Sequence, residues 1–324
     1  MGDDVRSQIV AGPLANVSVA YRNKSYIADR LFTIINKVSP RAKITKYLKG
    51  AWFRDEAAIR AAGTDAARGT IPMDSVSVST REYAFAKEVT DEDRRDAKVA
   101  GAPPLDPDND AIEYASDKID LKKERRVASL ILDSTWCGVA GEDAEGGWAA
   151  GDSNTFIDDV ETRIETIRMN TGVRPNVLML SANILPEIKQ ESTVLDRIKY
   201  TERGIVTAAL LAAMFDLEEC LVGDAIYSSA AEAAAGDDFT AVNVWEKNAS
   251  KGSAFLCYRP KKPGLKIPAP GYQARVAYED GQARRTSKWR ENSRHQDVYE
   301  VAEETDILQT GSYLGFLWYD CIAT

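Results

Sequence analysis

The sequence predicts an α+β fold with a projecting β-hairpin arm, and three patterns support this prediction. Residues 43–96 contain two short runs in which polar and apolar side chains alternate, as they do along half-buried β-strands. Residues 108–136 carry the longest helical pattern of the chain. Helices and short apolar strands alternate over residues 156–223, and the patterns beyond them are mostly those of β-strands. Together these patterns indicate a layered body with one extended arm.

The arm is predicted from two alternating runs, residues 75–80 and 82–86, which follow the aromatic and charged segment 52–56. Residues 57–72 have no apolar period and contain glycines, so we expect them to form a flexible tip. A two-stranded ribbon is only marginally stable by itself in water. We therefore expect the arm to lie on a neighbouring copy of the same chain.

A long helix is predicted to begin at Pro107 or Asp108 and to continue to about Trp136. Acidic side chains in its first turns complement the positive end of the helix dipole. Its apolar positions form one narrow stripe, which drifts along the helix: Ile112, Ala115, Ile119, Val127, Leu130 and Ile131. A narrow stripe is typical of a helix that lies across a sheet with its charged side in solvent.

The middle of the chain predicts a small α/β layer. An amphipathic helix ends at Gly172, and the apolar run 177–180 reads as a buried strand. Ser181 is placed to cap a following helix, and residues 205–215 form another, strongly apolar helix. A second short strand at residues 220–223 completes the layer.

The closing third of the chain predicts strands and contains a basic run with an aromatic residue, 284–290. Cations interleaved with Trp289 could bind single-stranded nucleic acid. The alternative is that the cations form salt bridges with acidic groups of a neighbouring subunit. We favour the ion-pair interpretation, because acidic residues outnumber basic ones, 50 to 41.

The composition restricts the possible functions. The chain has 324 residues, 44% of them hydrophobic, and a formal net charge of −9. An acidic chain is poorly suited to general nucleic-acid binding, which needs clustered lysine and arginine. The sequence has no apolar run of about 18 residues that would span a membrane. It also lacks a signal-peptide pattern, so a cytoplasmic protein is expected.

Residues that could carry catalysis or bind a metal are scattered. Cys137, Cys220, Cys257 and Cys321 lie far apart, and His295 is the single histidine, in a polar loop. Zinc-ligand spacing, a phosphate-binding glycine motif and a nucleophile with a nearby base are all missing from the sequence. We therefore predict neither catalytic residues, nor a cofactor, nor a metal site.

Four phrases of the sequence are similar to phrases of phage capsid subunits: WFRDE at 52–56, DRIKYT at 196–201, LVGDAIY at 221–227 and PKKPGL at 260–265. With the order of arm, long helix, α/β layer and closing strands, they make the chain resemble a tailed-phage major capsid protein. This family has the Hong Kong phage capsid fold, which encapsulin shells share. The resemblance covers nearly the whole chain.

The resemblance implies a division of the chain into the regions of that fold. The implied regions are an N-terminal arm with the start of a peripheral domain (1–42), the extended hairpin arm (43–96), the peripheral domain with its spine helix 108–136 (97–171), the axial domain (172–260) and the closing peripheral strands (261–324).

The resemblance also implies a structural function. The chain would form hexamers and pentamers of an icosahedral virion shell around a double-stranded DNA genome, after assembly in the host cytoplasm. The expected partners are further copies of the chain, a separate scaffolding protein, a portal and a decoration protein, with DNA contacted only weakly. The residues selected as interface candidates are Trp52, Phe53, Arg54, Arg68, Arg285 and Trp289. For Trp52 and Phe53, packing within their own subunit is an equal alternative.

Two other functions are compatible with the sequence. An encapsulin-type compartment has the same fold and would carry a cargo-peptide pocket on its inner face. An α/β enzyme could use residues 177–227, but it would need a pocket with converging polar groups.

Overall fold

A computed structural model describes residues 23, 25–36, 38–99, 105–133, 142–149, 151, 154–198, 206–230, 239–264, 266–278 and 281–322. Its helices are α1 Ala28–Leu31, α2 Lys49–Trp52, α3 Asp91–Asp96, α4 Pro107–Ile131, α5 Phe156–Thr171, α6 Ile184–Gln190, α7 Ser192–Ile198 and α8 Ala208–Met214. Its strands are β1 Thr33–Asn36, β2 Arg41–Tyr47, β3 Met73–Ser79, β4 Arg81–Thr90, β5 Glu142–Asp143, β6 Val177–Ser181, β7 Glu219–Gly223, β8 Ile226–Ser228, β9 Ala241–Asn243, β10 Ser253–Cys257, β11 Gly271–Arg275, β12 Arg284–Glu291, β13 Gln296–Gln309 and β14 Gly315–Tyr319. The α+β prediction is confirmed. Of the region 1–42, predicted as the N-terminal arm and the start of the peripheral domain, residues 1–22, 24 and 37 lie outside the described residues.

The first of two five-stranded sheets is built on the long strand β13. Strands β11 and β12 follow one another along one edge of β13, both antiparallel to it, and β4 pairs with its other edge over ten residues. Strand β1 adds to β11 in parallel orientation. This sheet therefore gathers strands from the first third and the last third of the chain.

The second sheet has the order β5-β14-β10-β6-β7 and is buried on both faces in its centre. Leu178 and Leu180 of β6 pack with α5, α6 and α8 on one face, whereas Val177 and Met179 pack with α1 and the end of α4 on the other. The predicted strands at 177–180 and 220–223 are confirmed, and they pair in parallel. Such doubly covered strands read as continuous apolar runs.

Helix α4 joins the two sheets. Ala115 and Ile119 in its first half pack against Val301 of the first sheet, and Val127 and Ile131 in its second half pack into the core of the second sheet. With 25 residues, α4 is about 37 Å long. The change of partner along the helix accounts for the drift of its apolar stripe.

The end predicted for this helix, Trp136, is wrong. Helix α4 ends at Ile131, with Leu132 at the C-cap, where the Leu132 N–H donates to the Ala128 carbonyl. Asp133, the next residue, is a weak helix former, and so are the serine and threonine after it.

Two helix-end predictions at the α/β layer have different outcomes. Gly172 ends α5 in the left-handed conformation, with φ of 71°, as the pattern predicted. Ser181 does not cap a helix: it is the last residue of β6, and its hydroxyl accepts from the Ser253 N–H at 3.0 Å. Asn183 holds the N-cap position of α6 without a capping hydrogen bond, and its Oδ1 instead accepts from the Asn243 side-chain amide at 3.1 Å.

The ribbon of the arm is formed by β2 and β3, which pair from Arg41 opposite Ser79 to Tyr47 opposite Met73. The strand predicted around residues 82–86 is real, but as β4 it belongs to the first sheet, where Tyr83 packs beside α4. Strand β2 lies before the aromatic segment and was not recognised as a strand.

A buried carboxylate fixes the start of the described chain onto α4. Glu124 is fully buried, and its Oε1 accepts hydrogen bonds from the Ile27 N–H at 2.8 Å and the Trp245 indole N–H at 2.7 Å. Its Oε2 accepts from the Ala28 N–H at 2.9 Å. Burial is the main influence on this carboxyl group and raises its pKa above the ordinary value, although the three hydrogen bonds oppose the rise.

Candidate assembly interface

The root of the arm is anchored to the body of the chain. One face of the β2–β3 ribbon carries apolar side chains, among them Ile44, Val76 and the buried Val78. They pack against Ala274 and Leu308 of the first sheet. The arm therefore leaves the body from a fixed base.

Beyond this base, the arm exposes large apolar side chains to solvent. Ile59 is fully exposed, Phe53 is 64% exposed and Trp52 is 50% exposed. The exposed apolar residues of this segment are Leu48, Trp52, Phe53, Ile59, Ile71 and Met73. Several large apolar side chains exposed within one segment make this segment a candidate for contact with another molecule.

The short helix α2 rests on the body through polar and aromatic contacts. The Lys49 ammonium group donates to the Asn170 carbonyl at 3.2 Å and lies 3.7 Å from the centre of the Tyr313 ring. Trp52 stands edge-on to Tyr47, with their ring centres 6.1 Å apart. These contacts hold α2 in place and leave one side of Trp52 free.

Phe53 covers the left-handed glycine at the end of α5. A Cβ atom at Gly172 would lie 3.2 Å from the Phe53 ring, so the ring stands directly over the backbone there. Because Phe53 is still largely exposed, it contacts its own subunit on one side only. Trp52 and Phe53 each contact their own chain on one side and expose the other side. The geometry is therefore compatible with both alternatives, packing within the subunit and a role in an interface.

Arg68 lies on the exposed tip, and Arg54 lies beside Phe53, before the tip. Arg54 is 3.7 Å from Glu56, and Arg68 is 3.9 Å from Asp65, and all four side chains are more than half exposed. Exposed pairs of this kind contribute only about 0–1 kcal/mol. Neither guanidinium group is fixed by its pair, and both can reorient toward another surface.

Arg285 and Trp289 lie on β12, on a different element from the arm. The Arg285 guanidinium group donates to Glu82 at 3.1 Å and to Glu300 at 3.2 Å. Trp289 sits opposite Val298 in the first sheet and is 40% exposed. Among the described residues, no contact joins these two candidates to Trp52 or Phe53, so the six candidates do not form one site.

The other cations of the basic run are also ion-paired within the chain. Arg284 donates to Glu303 at 2.8 Å, Lys288 lies 2.9 Å from Asp297, and Arg290 lies 3.3 Å from Asp297. Lys288 first, and then Arg290 and Arg94, lower the pKa of Asp297 to about 2. In the described residues the cations of the run therefore form ion pairs within the chain, and the predicted pairs with a neighbouring subunit stay a prediction.

An ionic cluster at the start of α4 escaped sequence reasoning. Arg94 donates two hydrogen bonds to the same oxygen of Asp108, at 2.8 and 2.7 Å, and also lies 2.7 Å from Asp297. The acidic and basic residues of α3 were visible in the sequence, but their partners on β13 lie about 200 residues away. The contact between Lys49 of α2 and the Tyr313 ring was also missed, because the two residues lie far apart in the sequence.

The expected lack of reactive groups can be examined only in the described residues. Cys220 and Cys257 are buried, and burial raises the pKa of each thiol to about 12. His295 is exposed in its loop, as predicted. Within the same described residues, no group of three or more acidic, cysteine or histidine side chains is placed to hold a metal ion. Every helix in that part of the chain is too short or too polar to cross a membrane.

Comparisons with known proteins point to one structural class, although no protein-family profile matches the chain. Over 270 residues the chain is 26% identical to the major capsid protein of Burkholderia phage BcepMu, an alignment that covers 82% of this chain and 81% of the relative. A crystal structure of a phage-related protein from Bordetella bronchiseptica RB50 is 25% identical, with a TM-score of 0.69 and 94% of each chain covered. The capsid of cyanophage P-SCSP1u has a TM-score of 0.62 at 10% identity, covering 98% of this chain and 95% of that one. The chain has the fold of phage capsid subunits.

Proposed function

We propose that this chain is a major capsid protein, the structural subunit of a phage capsid. It self-assembles into hexamers and pentamers of an icosahedral shell that encloses the double-stranded DNA genome of a tailed phage. The observation that carries this proposal is the relationship, over most of both chains, to a protein named as a major capsid protein. The role is mechanical and not enzymatic.

The geometry of the arm supports this function. Specific interfaces bury about 1,600 Å² in total, and a thin ribbon can reach such an area only by lying across another molecule. Trp52 and Phe53 act as anchors at the base of the arm, because half-exposed aromatic side chains often carry much of the binding energy. Arg54, beside these anchors, and Arg68 of the tip then contact the same neighbour.

The division of the chain follows the regions of the capsid fold. Residues 1–42 form the N-terminal arm and the start of the peripheral domain, 43–96 the hairpin arm, 97–171 the peripheral domain with the spine helix α4, 172–260 the axial domain, and 261–324 the closing strands. Within 43–96, strand β4 belongs to the first sheet. The closing segment contributes β11, β12 and β13 to the first sheet and β14 to the second. The boundary at residue 261 therefore separates two segments of the sequence, whereas each of the two sheets contains strands from both segments.

The partners of the shell follow from its function. Copies of the chain are the main partner, with a separate scaffolding protein, a portal and a decoration protein as further ones. DNA is contacted only weakly, in agreement with the net charge of −9. Assembly takes place in the host cytoplasm, and the mature protein resides in the virion. Arg285 and Trp289 contribute to contacts between subunits at the first sheet.

Negative-stain electron microscopy of the purified chain tests the proposal. We expect closed shells, or hexameric and pentameric capsomers. A small oligomer without shells at high concentration would contradict it. Shells isolated from infected cells should contain phage DNA and portal protein. Genome-free shells with a bound cargo peptide would instead identify an encapsulin-type compartment.

A further inference from the structure

We propose that a ring of six charged side chains fixes the position and angle of α4 on the first sheet, and thereby the uniform shape that copies of the chain need to form a closed shell. This ionic ring consists of Asp29, Asp120, Lys123, Arg275, Arg284 and Glu303. The consequence for the shell rests on the proposed function. The position of the helix is a property of the single subunit and can be measured there.

One half of the ionic ring joins α1 and α4 to the first sheet. The Lys123 ammonium group donates to Asp29 of α1 at 2.8 Å and lies 3.6 Å from Asp120, one turn earlier on α4. Asp120 in turn accepts from the Arg284 guanidinium group of β12 in two hydrogen bonds, one of them 3.2 Å long. The start of the described chain, the long helix and the first sheet therefore meet at this point.

The other half of the ring lies mostly in the first sheet. Glu303 of β13 accepts from Nε of Arg284 at 2.8 Å. Its other oxygen lies 3.2 Å from Nε of Arg275 in β11, but without hydrogen-bond geometry, so this link is electrostatic. Arg275 closes the ring at 3.6 Å from Asp29, and Lys123 lies 4.0 Å from Glu303 across the ring. Each charge of the ring thus has an opposite charge on both sides.

The ring stands where α4 passes from one sheet to the other. Ile119, one residue before Asp120, packs on the first sheet. Val127, four residues after Lys123, packs in the core of the second sheet. Apolar contacts are not directional, so a helix held by them alone could rotate or slide by a small amount. The charges of the ring supply the direction that the apolar contacts lack.

Burial makes the ring sensitive to small displacements. The side chains of Glu303 and Lys123 are only 3% and 9% exposed. A displaced helix would leave these charges buried without partners, which costs far more free energy than the same displacement of an apolar contact. A correctly formed buried ion pair adds little stability compared with apolar side chains of similar size. The ring therefore selects one arrangement of α4 without contributing much to stability.

A closed shell requires such a selection. Identical copies close into a symmetric assembly only if each copy presents its contact surfaces at the same angles. Because α4 packs on both sheets, its angle to the first sheet sets how the two sheets stand relative to each other. A spread in this angle would therefore become a spread in the curvature of the shell.

A double substitution can open the ring without unbalancing its charges. Lys123→Met/Glu303→Leu removes the two most buried members and leaves one ion pair intact on each side. We expect a thermal midpoint within about 3 °C of wild type or above it, because apolar side chains replace buried charges. Negative-stain microscopy should show a fraction of uniform closed shells that is at least about threefold lower, with mixed diameters and open sheets in their place.

A distance measurement on the unassembled subunit tests the position of the helix directly. Spin labels are attached through Lys118→Cys on α4 and Ser287→Cys on β12, in a chain that also carries Cys137→Ser. The three other native cysteines are buried. Pulsed electron spin resonance then gives the distribution of the distance between the labels. Opening the ring should broaden this distribution at least about twofold or shift its centre.

The controls separate the position of the helix from stability and from surface charge. Lys123→Met alone unbalances the ring and should lower the thermal midpoint by at least about 5 °C, because it leaves an excess of buried negative charge. Glu165→Gln/Arg168→Gln removes an exposed ion pair of α5 and should leave the midpoint, the shells and the label distances unchanged. If Lys123→Met/Glu303→Leu is destabilised, Lys123→Met/Glu303→Gln preserves the side-chain volumes more closely and should give the same broad distribution.

Two results would overturn the inference. One is an unchanged distance distribution in the folded double variants, which would leave the ring with a stabilising role at most. The other is a normal yield of uniform shells from these variants, which would show that shell curvature does not depend on the ring. If the wild-type chain itself formed no shells, the proposed function would fail, whereas the distance measurement would still decide whether the ring positions α4.

Discussion

At the scale of single residues, Glu124 shows how a charged group can serve a structural purpose. Its two oxygens accept from three donors that lie on α1, on the residue before it and on the loop that carries Trp245. A buried carboxylate costs free energy, but it satisfies donors that would otherwise be buried without acceptors. The residue therefore ties the start of the described chain to α4 and to the second sheet.

Two replacements of Glu124 should distinguish the contribution of its hydrogen bonds to stability from the contribution of its charge. Glu124→Ala leaves three buried donors unpaired and should lower the free energy of unfolding by about 3 kcal/mol or more. Glu124→Gln keeps one acceptor oxygen and removes the buried charge, so its loss should be smaller. Chemical denaturation followed by fluorescence measures both.

The difference in stability between wild type and Glu124→Gln should depend on pH. Because the folded protein raises the pKa of Glu124, the folded state holds this proton more tightly than the unfolded state. The contribution of this group is therefore greatest below its ordinary pKa of 4.5 and falls as the pH rises through the higher value of the folded state. We expect the stability of wild type relative to Glu124→Gln to decline in that direction. A difference in the free energy of unfolding that stays constant from pH 4 to pH 8 would mean that ionisation of Glu124 does not destabilise the folded protein.

Trp52 and Phe53 belong to the same scale. Truncation of either to alanine should leave the thermal midpoint nearly unchanged, because each contacts its own subunit on one side only. Assembly should need about tenfold more protein, as expected for an interface anchor. Phe239→Ala, which truncates another exposed aromatic residue, is the matched control. Lower thermal stability together with normal assembly would show that both rings serve their own subunit.

At the scale of elements, α4 is the member on which the rest of the fold depends, because it packs on both sheets. Its first half rests on β4 and β13 through a small cluster around Ile119, and its second half enters the core of the second sheet. A change in this helix should therefore affect folding itself. A change in the arm should affect assembly alone.

A charged residue in the stripe of α4 tests this role. Ile119 is 4% exposed, and Ile119→Asp should destabilise the chain by about 3 kcal/mol or more, because the carboxylate would be buried without a partner. Lys118→Asp, one residue earlier on the exposed side, should cost less than about 1 kcal/mol. Denaturant unfolding of both variants measures the difference, and equal midpoints would show that the stripe does not pack on the first sheet.

The elements also show what sequence reasoning can and cannot reach. Period and end signals predicted α4, the strands β6 and β7 and the end of α5 at Gly172, because these depend on neighbours in the sequence. The partner of a strand depends on residues far away. Strand β4 could therefore be recognised as a strand but was assigned to the arm, although it pairs with β13 more than 200 residues later.

The candidate interface follows the same division. The aromatic segment at the base of the arm was recognised, since Trp52 and Phe53 stand in a polar and charged context. Their supports could not be foreseen, because Lys49 reaches Asn170 and Tyr313 only after the chain has folded. For Arg285, the structure shows ion pairs with Glu82 and Glu300 of its own chain, whereas the predicted ion pair with a neighbouring subunit stays a prediction.

At the scale of the whole molecule, the body and the arm have different requirements. The body has two sheets with buried cores, and α4 packs on both of them. The body can therefore fold as a single chain. The tip of the arm exposes apolar side chains that only another molecule can cover. Folding and assembly should therefore be separable by changes in one region.

Deletion of residues 57–72 makes this separation directly. All of these residues are exposed, and the nine residues 48–56 that remain between Tyr47 and Met73 are enough to connect the paired ends of β2 and β3. The thermal midpoint should stay within a few degrees of wild type, whereas the yield of shells should fall at least about tenfold as the arm loses its contact area. Ile59→Ser/Ile71→Ser keeps the length of the tip and should lose part of the same yield, which distinguishes the apolar contacts from the length of the loop. Normal shells from the deletion variant would show that the tip of the arm does not hold neighbouring subunits together.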